Sequence, residues 1–150
     1  MNTIEENKAI IQKFIDSYNN RNLEIFDTLV ASDYFDHTHK QQGREKIKQL
    51  FTMAFEGFPD WHETIEDIIA EGEWVWVRVK ATGTHTGRWT LFGVPLPPTG
   101  NKIVMPMVFF FRIQNGKLVE GGEVDDQQDF FKQLGLIEYT DKGKQVLGSQ

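Results

Sequence analysis

The chain has 150 residues and a formal net charge of −6, so it is the size of one domain and carries no general attraction for phosphate backbones. It contains no cysteine, which excludes a disulfide framework, thiolate metal sites and cysteine nucleophiles. Apolar residues at 39% and charged ones at 25% mark a globular chain, and 12 Phe, four Trp and three Tyr exceed what a small core consumes, which suggests a lined cavity.

The stretch from Met1 to Phe14 is mixed-polar and lacks the apolar run of a targeting signal. The longest apolar run, near Met105 to Phe111, is too short to span a bilayer and holds Pro106. A cytoplasmic protein without membrane or nucleic-acid partners is the expectation. A helix is predicted from about Ile4 to Tyr18. Thr3 and Glu6 have the spacing of a capping box, and Ile4, Ile11, Phe14, Ile15 and Tyr18 form one apolar stripe. Asn19, Asn20 and Asn22 break it, and a short helix follows from Leu23 to Val30. Asp33 to His37 reads as extended. Gly43 to Phe58 is the clearest helix, with Ile47, Leu50, Phe51, Ala54, Phe55 and Phe58 on one face, and Pro59 ends it.

Beyond Pro59 the period changes to two. His62 to Ala70 reads as a strand, Glu71-Gly72-Glu73 as a turn, and Trp74 to Ala81 as an alternating strand. Gly83 to Gly100, with four Gly and three Pro, reads as a long loop or lid, with an interrupted strand near Arg88 to Leu91. Lys102 to Gln114 is a long strand, Asn115-Gly116 a hairpin turn, and Lys117 to about Asp125 the returning strand. Asp126 to Leu134 reads as a closing helix ended by Gly135, and the polar tail after Leu136 as loosely held. Helices segregated from a run of hairpin-connected antiparallel strands give the α+β class, expected as one domain over 1–150 with its core at about 4–136.

Several segments, in this order along the chain, resemble the SnoaL-like polyketide cyclase family of the nuclear-transport-factor-like and ketosteroid-isomerase-like superfamily. They include Asn7-Lys8 through Leu23, Asp33-Tyr34-Phe35-Asp36-His37, Phe58-Pro59-Asp60, Ile65 to Gly72 and Ala81 to Gly87. Gly93-Val94-Pro95, Pro98 to Lys102, Phe111-Arg112-Ile113, Gly116 to Glu120, and Asp126 with Phe130 to Gly135 complete the set. The resemblance implies a curved sheet wrapped around N-terminal helices into a cone with an apolar pocket. It implies intramolecular aldol chemistry with no metal and no organic cofactor, and a homodimer or higher homo-oligomer packed through the outer sheet face. It also implies an aspartate general acid/base near the end of the last strand, which falls on Asp126. Gly121-Gly122 departs from the bulky or basic pair usual in the family, which predicts an emptier pocket floor.

If the returning strand stays regular, Glu120, Gly122, Val124 and Asp126 share one face, and Glu123 and Asp125 carry solvated charges on the other. An Asp facing apolar walls has its pKa raised by desolvation toward that of a general base near neutrality. For Asp126 two readings stand, a catalytic carboxyl or the N-cap of the last helix. His37 is the second catalytic candidate, as a pocket hydrogen-bonding group, against a histidine bonded to a loop carbonyl. Metal ligation by His37 and His39 needs further donors, and Asp36, His62 and His85 lack recognisable ligand spacing. The ligand-lining candidates are Phe14, Tyr18, Tyr34, Phe55, Trp89, Phe92, Met105, Met107, Phe109 and Glu120. Trp74 and Trp76 share a face with Arg78 and Lys80, read as a dimer interface. The functional expectation is cofactor-independent acid/base catalysis on a small hydrophobic carbonyl compound. The alternatives are a non-catalytic binder of small hydrophobic ligands and an interaction module on the same fold.

Overall fold

The computed structural model describes residues 3–91 and 93–148. Helix α1 (Ile4–Asn19) opens with both halves of its capping box. The Thr3 hydroxyl accepts the Glu6 N–H at 3.1 Å and the Glu6 carboxylate accepts the Thr3 N–H at 2.6 Å. Its stripe of Ile11, Phe14, Ile15 and Tyr18 is fully buried, each side chain contributing roughly 1.5–3 kcal/mol. The short second helix divides into a 3-10 turn (Leu23–Ile25) and one α-helical turn, α2 (Phe26–Leu29). Strands β1 (Val30–Asp36) and β2 (Gln41–Gln42) lead into α3 (Arg44–Gly57), which Phe58 caps before Pro59. The α3 stripe is only partly covered, and of its predicted members within the helix only Ile47 is fully buried. Phe51 and Phe55 pack against the core, and the rest of the stripe borders open space.

Strands β3 (His62–Glu71) and β4 (Trp74–Thr84) form a hairpin, and a small ribbon of β5 (Trp89–Leu91) and β6 (Val94–Leu96) occupies the predicted loop. Strands β7 (Lys102–Gln114) and β8 (Lys117–Asp125) are joined by Asn115 and Gly116, both at positive φ as a tight hairpin turn requires. Helix α4 (Gln127–Gln133) closes the core through Phe130. The tail carries a further helix, α5 (Asp141–Leu147), capped by Thr140, where only a loose segment was expected. It buries no residue, so nothing in hydrophobic periodicity marks it.

The α+β class holds. The main sheet runs β2-β1-β8-β7-β4-β3, and helices α1 to α3 pack against β1, β3 and β4. One pair departs from the antiparallel expectation, since β1 lies parallel to β8. It arrives there through the helices rather than through a hairpin. Along β4 and β7 the inward residues Val75, Val77, Val79, Ala81, Met105, Met107, Phe109 and Phe111 are buried and their neighbours face outward.

The Gly121-Gly122 pair does not leave the floor empty. A Cβ on Gly121 would stand 2.5 Å from the Phe110 carbonyl oxygen and 2.6 Å from both the Tyr34 hydroxyl and Phe111. One on Gly122 would meet the Phe110 ring at 2.6 Å and Thr38 Oγ1 at 2.8 Å. Neighbouring groups have taken the space, and one of them is backbone. Gly121→Val is therefore expected to destabilise the fold by about 2–3 kcal/mol, read as a lower urea midpoint at unchanged m-value. An unchanged midpoint would show that the floor has room.

Candidate functional site

The sheet, α1, α3 and α4 enclose a cavity of about 580 Å³. Phe14, Tyr18, Phe51 and Ala54 wall it from the helices, Met105, Met107, Phe109 and Phe111 from β7, and Trp89 and Phe130 from the ribbon and α4. This size suits a small organic ligand. The partly covered α3 stripe is explained by the same space, because Ile47, Leu50, Phe51 and Ala54 line it. Four carboxyl groups, Asp36, Glu63, Glu123 and Asp125, stand in this lining with His39, and no Lys or Arg does so among the described residues.

An irregularity in β8 places two of these acids. Ile113 pairs with Leu118, but Arg112 pairs with Glu120, so Val119 is an extra residue without a partner. A bulge of this kind shifts the side-chain phase by one. Glu123 and Asp125 then stand opposite the inward-facing Phe109 and Met107, while Glu120, Gly122 and Val124 stand opposite outward-facing residues. This reverses the faces expected of a regular strand and corrects the reading of Glu123 and Asp125 as outer charges.

The end of β1 supplies the partner groups. Asp36 accepts the backbone N–H groups of Thr38 at 2.9 Å and His39 at 3.2 Å, and its second oxygen accepts His39 Nδ1–H at 2.7 Å. The other imidazole nitrogen, Nε2, lies 3.9 Å from Glu123 Oε1. Thr38 fixes this approach, because its hydroxyl accepts the Glu123 N–H at 2.7 Å and donates to the Glu123 carbonyl at 3.0 Å. Burial acts to raise the Asp36 carboxyl, but the side-chain and backbone hydrogen bonds from His39 outweigh it and hold it below the usual range. The hydrogen bond to Asp36 in turn raises His39. Burial, reinforced by Asp125, pushes Glu123 up to about 7, and burial also raises Asp125.

A second polar group comes from β3. Glu63 is buried at 3% exposure. One of its oxygens takes a hydrogen bond from Trp61 Nε1–H at 3.0 Å, and the other is in very short contact with the Tyr18 hydroxyl. Asn19 fixes the strand here, its side chain donating to the Glu63 carbonyl at 2.8 Å and accepting the Glu63 N–H at 2.9 Å. Burial pushes the Glu63 carboxyl up to about 7 against the lowering effect of both hydrogen bonds.

Of the residues singled out from sequence, Phe14, Tyr18, Tyr34, Trp89, Met105, Met107 and Phe109 line the cavity. Asp126 does not. It is exposed, and its carboxylate accepts the Asp129 N–H at 2.9 Å as the N-cap of α4. His37 and Glu120 also stand outside the lining, 3.3 Å apart, with Glu120 bonded to Arg112 at 2.6 Å. Phe55 lies under the Arg21 guanidinium at 3.9 Å, away from the cavity. Phe92 lies outside the described residues. Among the described residues no three His, Asp or Glu side chains converge as metal ligands, and no helix is long and apolar enough to cross a membrane.

Residues 8–134 match the family model of the SnoaL-like polyketide cyclases. Among solved structures the chain is similar to IdmH, a proposed polyketide cyclase from Streptomyces antibioticus, at 28% identity and TM-score 0.72 over 86% of this chain and 98% of that one. It is similar to a proposed polyketide cyclase from Bacillus cereus ATCC 10987 at 26% identity and TM-score 0.73, covering 89% and 83% of the two chains. It shares the fold of AclR, a proposed hydroxylase from Streptomyces galilaeus, at 24% identity and TM-score 0.80 over 97% and 89%. No curated protein matches the chain.

The raised Glu63 carboxyl links stability to pH. From its ordinary value of 4.5 up to about 7 the folded chain binds this proton and the unfolded chain has lost it, so stability falls as pH rises through that window. Glu63→Gln removes the linkage while keeping partners for Tyr18 and Trp61. Between about pH 5 and pH 8 the melting temperature of the variant is expected to fall less than that of the wild type, by a difference worth about 2–4 kcal/mol. Circular dichroism melts at the two pH values check this, and parallel declines would exclude Glu63 as the source.

Proposed function

The chain belongs to the SnoaL-like polyketide cyclase family, and on that premise we propose that it performs cofactor-independent acid/base chemistry on a small hydrophobic carbonyl compound bound in the cavity. The reaction is an intramolecular aldol cyclisation or an isomerisation. The observation that carries this reading is Glu123, a carboxyl raised to about 7 in an apolar cavity beside an imidazole that Asp36 orients. Glu123 is the general base. It takes a proton from the carbon next to a carbonyl, and the C–H electron pair becomes the enolate. The enolate carbon attacks a second carbonyl of the same molecule, forming the ring C–C bond. His39, protonated against Asp36, gives its proton to the resulting alkoxide. Walls such as Phe14, Phe51 and Phe109 hold the flexible substrate folded, which supplies much of the rate. The exposed position of Asp126 as a helix cap favours the second reading, a non-catalytic binder of small hydrophobic ligands in the same cavity.

Turnover of a panel of small polyketide-like ketones and aromatic β-ketoesters separates the two readings. Glu123→Gln is expected to lower kcat/KM about 10²–10⁴-fold, while Asp126→Asn changes it by no more than about threefold. Wild-type kcat/KM should rise with pH through about 7 as Glu123 ionises, and fall again at higher pH as His39 loses its proton. Equal turnover in wild type and Glu123→Gln removes Glu123 from the mechanism. Binding without turnover across the panel leaves the carrier reading.

We also propose that the protein works in the cytoplasm as a homodimer, with residues 1–150 acting as one domain. Ile69 and Trp76 on the outer sheet face are 67% and 45% exposed, and Trp76 stacks on Phe110 with ring centroids 5.1 Å apart. An apolar cluster of this kind supports burial against a second copy. Trp76→Glu is expected to convert the dimer to a monomer in sedimentation velocity. A wild-type monomer, or a dimer that survives the substitution, would refute this interface.

A further inference from the structure

One wall of the cavity carries a hydroxyl that the described residues leave unpaired. Tyr34 lies near the end of β1, is 2% exposed and lines the cavity. The pairing of β1 with β8 is broken between Val30 and Phe35, and the Gly43 N–H anchors this stretch by donating to the Tyr34 carbonyl at 2.8 Å. Among the described residues nothing accepts the phenolic proton or donates to its oxygen. The sealed side-chain polar atoms without a partner lie elsewhere, on Asn7, Arg44 and His85, so the Tyr34 oxygen opens onto the cavity rather than into packed core. A buried hydroxyl is costly to leave unpaired, and here only the contents of the cavity can pair it.

Gly121 determines where this hydroxyl stands. A Cβ at that position would lie 2.6 Å from the Tyr34 oxygen, so the hydroxyl occupies the space of the missing side chain. Gly121 pairs with the inward-facing Phe111 and Glu123 with the inward-facing Phe109, which puts both on the inner face of β8. Two residues along a strand separate the two positions by roughly 7 Å. The hydroxyl therefore stands one side-chain position along from Glu123 in the same cavity. The neighbouring acids are engaged elsewhere. Asp36 takes its hydrogen bonds from Thr38 and His39, and Glu120 is bonded to Arg112 outside the lining. Burial, with the charges of Asp36, Glu123 and Glu120, keeps the Tyr34 hydroxyl protonated. The group presented to a ligand is thus a neutral donor.

We propose that Tyr34 is a specificity-determining residue whose hydroxyl donates a hydrogen bond to a second oxygen of the ligand, remote from the carbonyl that reacts at Glu123. The proposal rests on the carbonyl-site reading of the cavity and narrows its ligand. The ligand is an uncharged, largely apolar compound with two oxygen functions. Its acidic C–H meets Glu123, and a ketone, ester or ether oxygen lies roughly 7 Å away at Tyr34. A ligand with that oxygen pairs the phenolic proton. One with a carbon group in its place buries the hydroxyl unpaired and is disfavoured for that reason. The contact also fixes which end of an elongated ligand faces Glu123. Tyr34 loses no proton in the reaction, so the step at Glu123 keeps its balance. Gly121 acquires a purpose in the same arrangement, because a side chain there would displace the donor.

The test uses two ligands of nearly equal shape. In para-diacetylbenzene a carbonyl stands at each end, and in para-isopropenylacetophenone a methylene group replaces one of the two carbonyl oxygens. Dissociation constants of both are measured by calorimetry with the wild type and Tyr34→Phe. The wild type is expected to favour the diketone over the alkene about five- to tenfold more than Tyr34→Phe does. The alkene should bind Tyr34→Phe at least as well as the wild type, because the variant has no hydroxyl to leave unpaired. Since that hydroxyl has no partner among the described residues, the variant should also melt within about 3 °C of the wild type. A larger drop would show that the protein itself holds the hydroxyl, and would overturn the proposal. The same preference in both proteins, or an equal loss of affinity for both ligands in the variant, likewise overturns it and leaves the carbonyl-site reading standing. Failure of both ligands to bind the wild type overturns the two together.

Discussion

An acid that faces an apolar cavity must be neutral, hydrogen-bonded or paired with a cation, and this cavity lines its walls with four carboxyl groups and no Lys or Arg among the described residues. Its interior chemistry follows from how each acid meets that constraint. Asp36 stays ionised by collecting two backbone donors and the His39 ring. Glu63 takes two side-chain donors and is still pushed up to about 7. Asp125 adds to the cost of ionising Glu123, burial raises Asp125 itself, and Glu123 has His39 Nε2 at 3.9 Å. Similar groups thus acquire different protonation states from their surroundings, which is what one site needs to hold a base and an acid together.

The fold delivers these groups through register breaks in β8 and β3, and β1 also slips against β8 between Val30 and Phe35. In β8 the unpaired Val119 turns Glu123 and Asp125 inward. In β3 the register also slips by one, between Ile65 and Asp67, so Glu66 is the extra residue, and Arg78 holds both Glu66 and the following Asp67 on the outer surface. The slip lets Glu63 and Ile65 face the interior at one end of the strand and Ile68 and Ala70 at the other. A sheet without these bulges would present Glu120 and Asp126 to the ligand space and leave Glu123 in water.

Much of the architecture was legible because it depends on periodicity and turn chemistry. The capping box at Thr3 and Glu6, the α3 stripe, the alternation in β4 and the Asn115-Gly116 turn all act locally, and each appears where the residues place it. The cavity walls were legible for the same reason, since Met105, Met107 and Phe109 share one face of a long strand. The acids were not. The phase of β8 depends on a single residue whose exclusion from the ladder is settled by pairing with β7 and β1, and Val119 itself carries no bulge signature. Glu63 sits in a strand read only from its period, and Tyr18, though a lining candidate, gives no sequence sign of pairing with an acid 45 residues on. The signal available was Glu63 in phase with the apolar Ile65, two residues on, which puts a carboxylate on a buried face. Helix α5 was missed because it rests on its Thr140 cap and local propensity rather than on burial.

The absence of cations from the described lining bears on what the cavity admits. A ligand carrying a carboxylate or phosphate would enter a space already holding ionised Asp36, with Glu123 and Glu63 poised to ionise near neutrality. Its charge would find no Lys or Arg, and repulsion would add to the cost of desolvation. A neutral carbonyl compound meets the opposite situation. It brings no charge to desolvate, and its C–H bonds meet groups able to take a proton. The aromatic walls reward its apolar surface with roughly 25 cal/mol for each Å² removed from water. Selection for neutral substrates and the capacity for proton transfer therefore have one origin. The acids that exclude anions are the groups that can move a proton, and burial holds their proton affinities high enough to work near neutrality, with His39 giving only partial relief and no Lys or Arg adding to it among the described residues.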